Sequence, residues 1–123
     1  MPGHPRFFLG SDSAPHPEHS KSTSTPSQGC AAGVYTSPIL LPLVVHLLES
    51  FGALDKLDGF VSDFGRAFYK REAGANIHSK VVLQRTSAGE ASIDNRYVLN
   101  NDVVVPFWAG REIGWKIVSQ AGK

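Results

Sequence analysis

Phe7-Phe8-Leu9-Gly10-Ser11-Asp12-Ser13-Ala14-Pro15-His16 is the stretch on which the reading of this chain turns. Three apolar residues run into a glycine. An acid follows two residues later, and a histidine four residues after the acid. A continuous apolar run predicts a strand over Arg6 to Gly10 that is buried on both faces, because a half-buried strand would alternate. Such strands belong to parallel sheets covered by helices on either side. The polar residues then fall at the strand's tip, where a functional group meets solvent.

Asp12 carries two readings. An aspartate after glycine and before Ser-Ala-Pro is an ordinary turn-former or helix cap. An aspartate at the C-terminal end of a parallel strand also sits where barrel enzymes place catalytic groups. An oxygen ligand there suits zinc, and a carboxylate there suits proton transfer. His16 and His19 are three apart, but Pro17 lies between them, and two histidines alone are a weak metal signal. His19 reads as a surface residue and His46 as a core or edge residue.

Outward from this stretch, residues 11–33 form a long polar loop rich in Ser, Thr, Pro, His and Gly. A loop of this length is usually functional or disordered. The Ser20–Gln28 tract alone reads as disordered, whereas Gly29-Cys30-Ala31-Ala32-Gly33 is small enough to let backbone approach a ligand closely. A helix is predicted over 37–51, with Ser37 as N-cap, Pro38 at the first helical position and Gly52 as the stop. Its apolar residues lie nearly all round, so it needs cover on more than one side. A second helix is predicted from Leu54 to Asp63, weakened by Gly59, and a turn with buried aromatics from Phe64 to Tyr69. Strands are predicted at Lys80–Gln84, at Val103–Phe107 and through Ile113, Trp115 and Ile117, with Ala109-Gly110-Arg111 as the turn before the last. Trp108 and Trp115 read as packing residues.

Composition narrows the function classes. The 123 residues suffice for one domain with a modest core, and 41% apolar with 19% charged is an ordinary globular balance. Twelve basic residues face eleven acidic ones, so no net field steers the chain to nucleic acid or to an anionic membrane. The single cysteine, Cys30, excludes an internal disulfide and a multi-cysteine zinc site. The longest apolar run, Pro38 to Leu48, falls short of the ~20 residues a membrane span needs. Phe7–Leu9 is too short for the apolar core of a signal peptide, so the expected location is the cytoplasm. There is no Gly-rich phosphate loop and no G-x-S-x-G elbow.

The segment Phe7–His16, followed by Gly29-Cys30-Ala31-Ala32-Gly33-Val34-Tyr35, closely resembles dihydroorotases of the amidohydrolase superfamily, in the single-function form of fungi and many bacteria. Further matches follow in order: Asp63-Phe64-Gly65-x-x-Phe68-Tyr69, then Val105-Pro106-Phe107-Trp108-Ala109-Gly110, with Trp115 beyond. The match spans most of the chain and is weakest over 70–100. The resemblance implies a metal-bearing (β/α)8 barrel that interconverts N-carbamoyl-aspartate and dihydroorotate in de novo pyrimidine (UMP) synthesis. By resemblance, Asp12 matches the aspartate at the end of the eighth strand, a zinc ligand that also shuttles the proton to the scissile amide nitrogen. His16 matches the histidine that holds the substrate carboxylate. Ala32 matches a position whose backbone touches that substrate. The implied cofactor is zinc, two per complete site, and the implied assembly of the complete enzyme is a homodimer.

The family's H-x-H-x-R motif and its other metal ligands are not among these residues, and a (β/α)8 barrel takes ~250 residues. The expectation is therefore an α/β fold that is the C-terminal piece of such a barrel. Residues 1–69 would hold strand eight, the active-site loop and helices, and residues 70–123 an extension with short strands. One carboxylate cannot hold two zinc ions, so the chain alone is expected to be inactive and to expose apolar surface. Two alternatives stand beside this reading. One is a non-catalytic module that docks on a full-length paralogue. The other is a different cyclic amidohydrolase, allantoinase- or hydantoinase-like.

Overall fold

Helix α2 (Leu40–Ser50) is the spine on which the other elements are hung. A 3-10 turn, Ser37–Ile39, with Pro38 inside it, leads into the helix. Pro42 is the third residue of α2 and costs no hydrogen bond there, because the first four N–H groups of a helix have no intrahelical partner. At the other end the Gly52 N–H bonds the Glu49 carbonyl (2.9 Å) and the Ala53 N–H bonds the Leu48 carbonyl (2.8 Å), a Schellman closure. The computed structural model describes residues 3–21, 29–71 and 80–121.

The near-uniform apolar character of α2 is used on three sides. Ile39 and Leu43 pack with Ile93 and Ile113, flanked by Ala91 and Trp108. Val45, only 1% exposed, lines a cleft with Leu41, Leu57, Val61 and Val82. Val44 and Leu48 face Phe7, Leu9 and Phe60. Burying one such aliphatic side chain stabilises by ~1.5–3 kcal/mol, so α2 carries much of the chain's apolar driving force.

The helical segment after α2 runs further than its sequence predicts. It begins as a 3-10 turn at Leu54–Lys56, widens to a π turn at Gly59–Asp63 and continues as α3 (Phe64–Phe68). The predicted stop at Asp63 is absent because the Phe64 N–H bonds the Gly59 carbonyl across the π turn. The Phe64 ring then lies where a Gly59 side chain would be: a Cβ there would come within 2.6 Å of it. The residue that weakens the helix by propensity is the one that lets the ring fold back.

The strands are antiparallel. β1 (Lys80–Arg85) pairs with β4 (Trp115–Ala121), with a bulge between Val82 and Leu83. β2 (Tyr97–Leu99) pairs with β3 (Asp102–Val104) through a turn in which Asn100 has φ 56°. β2 lies outside the predicted strands. β3 ends at Val104, short of the predicted Phe107, as befits a chain about to meet buried Pro106, which has no N–H for a ladder. The turn before the last strand covers residues 107–110, starting two residues earlier than the predicted Ala109-Gly110-Arg111. Glu49 ties α2 to the β1–β4 pair: its carboxylate accepts from Trp115 Nε1 (2.8 Å) and from the Arg85 guanidinium, which also lies over the Trp115 ring.

The predicted strand over Arg6–Gly10 does not form. Residues 7–12 have no ladder partner; Leu9 N–H bonds the Phe60 carbonyl instead (2.9 Å), and Phe7 is 57% exposed. A strand exists only through its neighbours, and no parallel neighbour for 6–10 is present among the described residues. The chain is thus a mixed α/β assembly without a parallel sheet among those residues. None of the described helices is long and apolar enough to cross a membrane.

Candidate functional site

What survives of parallel pairing lies just past the apolar run. Ser13 bridges Val34 in parallel, and the Ala14 N–H bonds the Val34 carbonyl (2.9 Å). The Ser13 hydroxyl oxygen accepts from the backbone N–H of Thr36 (3.1 Å) and of Ser37 (3.0 Å). It therefore satisfies two donors at the entry to α2, a task the sequence assigns to Ser37 as N-cap. Ser37 is instead the first residue of the 3-10 turn. Asp12 precedes this anchor with φ 43° and is exposed. Aspartate is one of the few side chains tolerated in that left-handed region. The chain thus turns sharply at the carboxylate and is locked immediately after it.

Gly33 brings the second arm onto the first. Its φ is +113°, and a Cβ there would meet Ala14 Cβ at 2.6 Å, the Ala14 carbonyl oxygen at 3.0 Å and the His16 ring at 3.5 Å. Only glycine permits both that φ and that contact. Ala32 is exposed beside it, and His16 is half-buried. Residues 12–16 and 31–34 are thereby laid side by side, with an imidazole, an exposed carboxylate and free backbone within one short stretch of surface.

The loop ends are stapled beyond this contact. After Pro17 the chain makes a single helical turn, α1 (Glu18–Lys21), on which Ser20 bonds back to the Pro17 carbonyl. The Ala31 N–H bonds the Ser20 carbonyl (2.9 Å), the Cys30 thiol bonds the Lys21 carbonyl (3.2 Å), and the Lys21 ammonium bonds the Gly33 carbonyl. Because α1 begins after Pro17, His16 is outside it and the two histidines share no helix face. Tyr35 meets Tyr97 edge-on at 5.8 Å, and its carbonyl accepts from the Phe107 N–H (2.9 Å). Glu18 lies 3.4 Å from Arg96. The β2–β3 hairpin thus backs the site.

Of the three residues singled out from sequence, His16 and Ala32 come together through Gly33, and Asp12 stands at the head of the same segment. Two contributors have no sequence signal. Ser13 acts across 23 residues, and Lys21 lies in a polar tract that reads as disordered. His46 stacks edge-on against Trp108 at 5.6 Å, and Trp108 packs on the core. A two-zinc centre does not fit the residues present. No group of three or more His, Cys, Asp or Glu capable of holding a metal occurs among the described residues, and Asp12 is exposed.

Comparison with known proteins finds dihydroorotases. The chain is 41% identical to a dihydroorotase of Mycosarcoma maydis over 157 aligned residues, covering 94% of this chain and 40% of that protein. It is 41% identical to a dihydroorotase of Alkalilimnicola ehrlichii, covering 94% of this chain and 31% of the relative. It matches the C-terminal part of dihydroorotases.

The solved dihydroorotase of Saccharomyces cerevisiae, in complex with 5-fluoroorotic acid, superposes with a TM-score of 0.80 at 33% identity, over 94% of this chain and 31% of that one. The dihydroorotase of Campylobacter jejuni superposes with a TM-score of 0.74 at 29% identity. No family model matches the chain. The chain therefore spans about a third of the length of the dihydroorotases it matches.

Proposed function

We propose that this chain supplies one corner of a dihydroorotase active site and does not hydrolyse substrate by itself. The carrying observation is the contact of Gly33 with Ala14 and His16, which sets two backbone arms against one imidazole. In this reading His16 donates a hydrogen bond to the carboxylate of dihydroorotate or N-carbamoyl-aspartate. The Ala32 backbone, fixed through Gly33, meets the same substrate. Asp12 moves the proton to and from the ring amide nitrogen, a role a positioned carboxylate performs by general acid–base catalysis. Zinc belongs to the complete centre, with Asp12 as one ligand and the remaining ligands from outside the described residues. The reading places the enzyme in the cytoplasm, in pyrimidine synthesis and, when complete, as a homodimer.

The partner in this reading is the remaining two-thirds of a dihydroorotase. Its support is the apolar groove of about 440 Å³ lined by Phe7, Leu9, Val44, Leu47, Leu48, Phe51 and Phe60. Phe51 is 76% exposed there. An open apolar groove of this kind marks an interaction surface. The same groove serves the alternative of a non-catalytic module docked on a full-length paralogue.

The test is complementation. A dihydroorotase relative trimmed of its C-terminal third is mixed with this chain and assayed for dihydroorotate hydrolysis. The reading expects turnover from the mixture, none from either part, and loss of turnover with Asp12→Asn. An inert mixture that nevertheless forms a complex supports the non-catalytic module. Turnover of allantoin in place of dihydroorotate would move the substrate assignment to another cyclic amide.

A further inference from the structure

We propose that Lys21 is a positioning residue that latches the Ala32–Gly33 arm onto His16; the idea rests on the dihydroorotase-like reading for its kinetic consequence but not for its geometry. The one-turn helix α1 that carries Lys21 is too short to be stable through its own hydrogen bonds. It is held by its neighbours, and two of those bonds, Ala31 N–H to Ser20 and Cys30 to Lys21, pin the arm at residues 30 and 31. Of the bonds that α1 makes among the described residues, the one from the Lys21 ammonium reaches past Ala32, to the carbonyl of Gly33. That carbonyl belongs to the residue at which an added Cβ would meet both Ala14 and His16.

Gly33 loses more backbone freedom on ordering than any other residue type would. At φ +113° it has no side chain to hold it in place. A charge-assisted bond to its carbonyl is about twice as strong as a neutral one. The arm is therefore fastened at three points: by the Ala31 N–H before Ala32, by the Lys21 ammonium at Gly33, and by the Ala14 N–H at the Val34 carbonyl. Removing the ammonium leaves Ala31 and Val34 held. The Ala32–Gly33 peptide then gains freedom between those two points.

The test uses the full chain labelled with 13C and 15N, with Lys21→Met, which keeps the alkyl stem, and Lys21→Arg, which keeps the donor. The proposal expects Lys21→Met to shift the Gly33 carbonyl-carbon and Val34 amide resonances, with Ala31 amide exchange unchanged because its bond to the Ser20 carbonyl remains. The urea midpoint should stay at the wild-type value, and Lys21→Arg should restore the resonances. In the complemented assembly Lys21→Met should raise KM about tenfold with kcat nearly unchanged. Unchanged Gly33 and Val34 resonances would overturn the latch. So would a KM rise that Lys21→Arg fails to restore and that fades with salt, since that pattern marks direct contact with the substrate anion. If the wild-type assembly shows no turnover, the dihydroorotase-like reading fails, while the resonances still decide the latch.

Discussion

Replacing Gly33 by alanine tests the geometry of the site with a single methyl group. At φ +113° a non-glycine residue carries strain, of order 1–3 kcal/mol. The new Cβ would also sit 2.6 Å from Ala14 Cβ and 3.0 Å from the Ala14 carbonyl oxygen. Neither atom is the far end of a flexible side chain, so the backbone of one arm must move. Overpacking of that sort adds ~1–3 kcal/mol, giving a total of ~2–6 kcal/mol. With a urea slope of ~1.5 kcal/mol/M, the unfolding midpoint falls by more than ~1 M. Resonances of Ala14, His16 and Ala32 shift in any folded fraction. Gly29→Ala is the control, because a Cβ there meets nothing within 4 Å and its φ is not in the left-handed region. It should be neutral or stabilise by a few tenths to ~1 kcal/mol through the unfolded chain. If Gly33→Ala and Gly29→Ala give the same midpoint and leave His16 unmoved, the two arms do not touch in solution and the reasoning fails.

Three further outcomes follow from the same contacts. Ser13→Ala should cost ~1–3 kcal/mol in urea unfolding, because it strands the N–H groups of Thr36 and Ser37; a loss below ~0.5 kcal/mol means that solvent satisfies them. Glu49→Ala removes the acceptor of Trp115 Nε1 and of the exposed Arg85 and should cost ~1–3 kcal/mol, chiefly through the Trp115 bond, read from tryptophan fluorescence during denaturation; a wild-type midpoint contradicts the tie between α2 and the strands. Burial, followed by the Asp94 charge, holds the Tyr97 phenol above its ordinary pKa of 10.0. The folded pKa is raised, so the linked stability is fully present below the unfolded pKa near 10 and is lost as pH rises through the folded value. Tyr97→Phe should therefore show a shallower alkaline loss of stability than wild type above pH ~10; identical alkaline profiles refute the shift.

The legible features were the local ones. Pro38 and Gly52 bracket α2 because a fixed φ and a chain reversal are written in single residues. The all-round apolar pattern of α2 foretells three packed sides. The Gly29–Gly33 run suggests close approach to a ligand; the approach observed is within the chain, Gly33 against Ala14. What depends on distant partners was not legible. The apolar run at Phe7–Leu9 specifies a buried strand, but a strand needs a neighbour to bond. Among the described residues it finds only the Phe60 carbonyl. The capping role of Ser13 arises because a parallel bridge carries its hydroxyl to the start of α2, and no spacing rule links residue 13 to residues 36 and 37. The π turn at Gly59 defeats the predicted stop at Asp63 because a ring contact outweighs propensity. The expectations for 22–28 and for 72–79, with His78, lie outside the described residues.

The central claim is that this chain holds one corner of a metal site and not the site itself. The amount of zinc that remains bound per chain after purification and dialysis tests it most directly, by elemental analysis of the full 123-residue protein. The account predicts a ratio far below one, unchanged by Asp12→Asn. A tight, near-stoichiometric zinc that Asp12→Asn removes would contradict it, because the chain would then hold a complete metal site of its own.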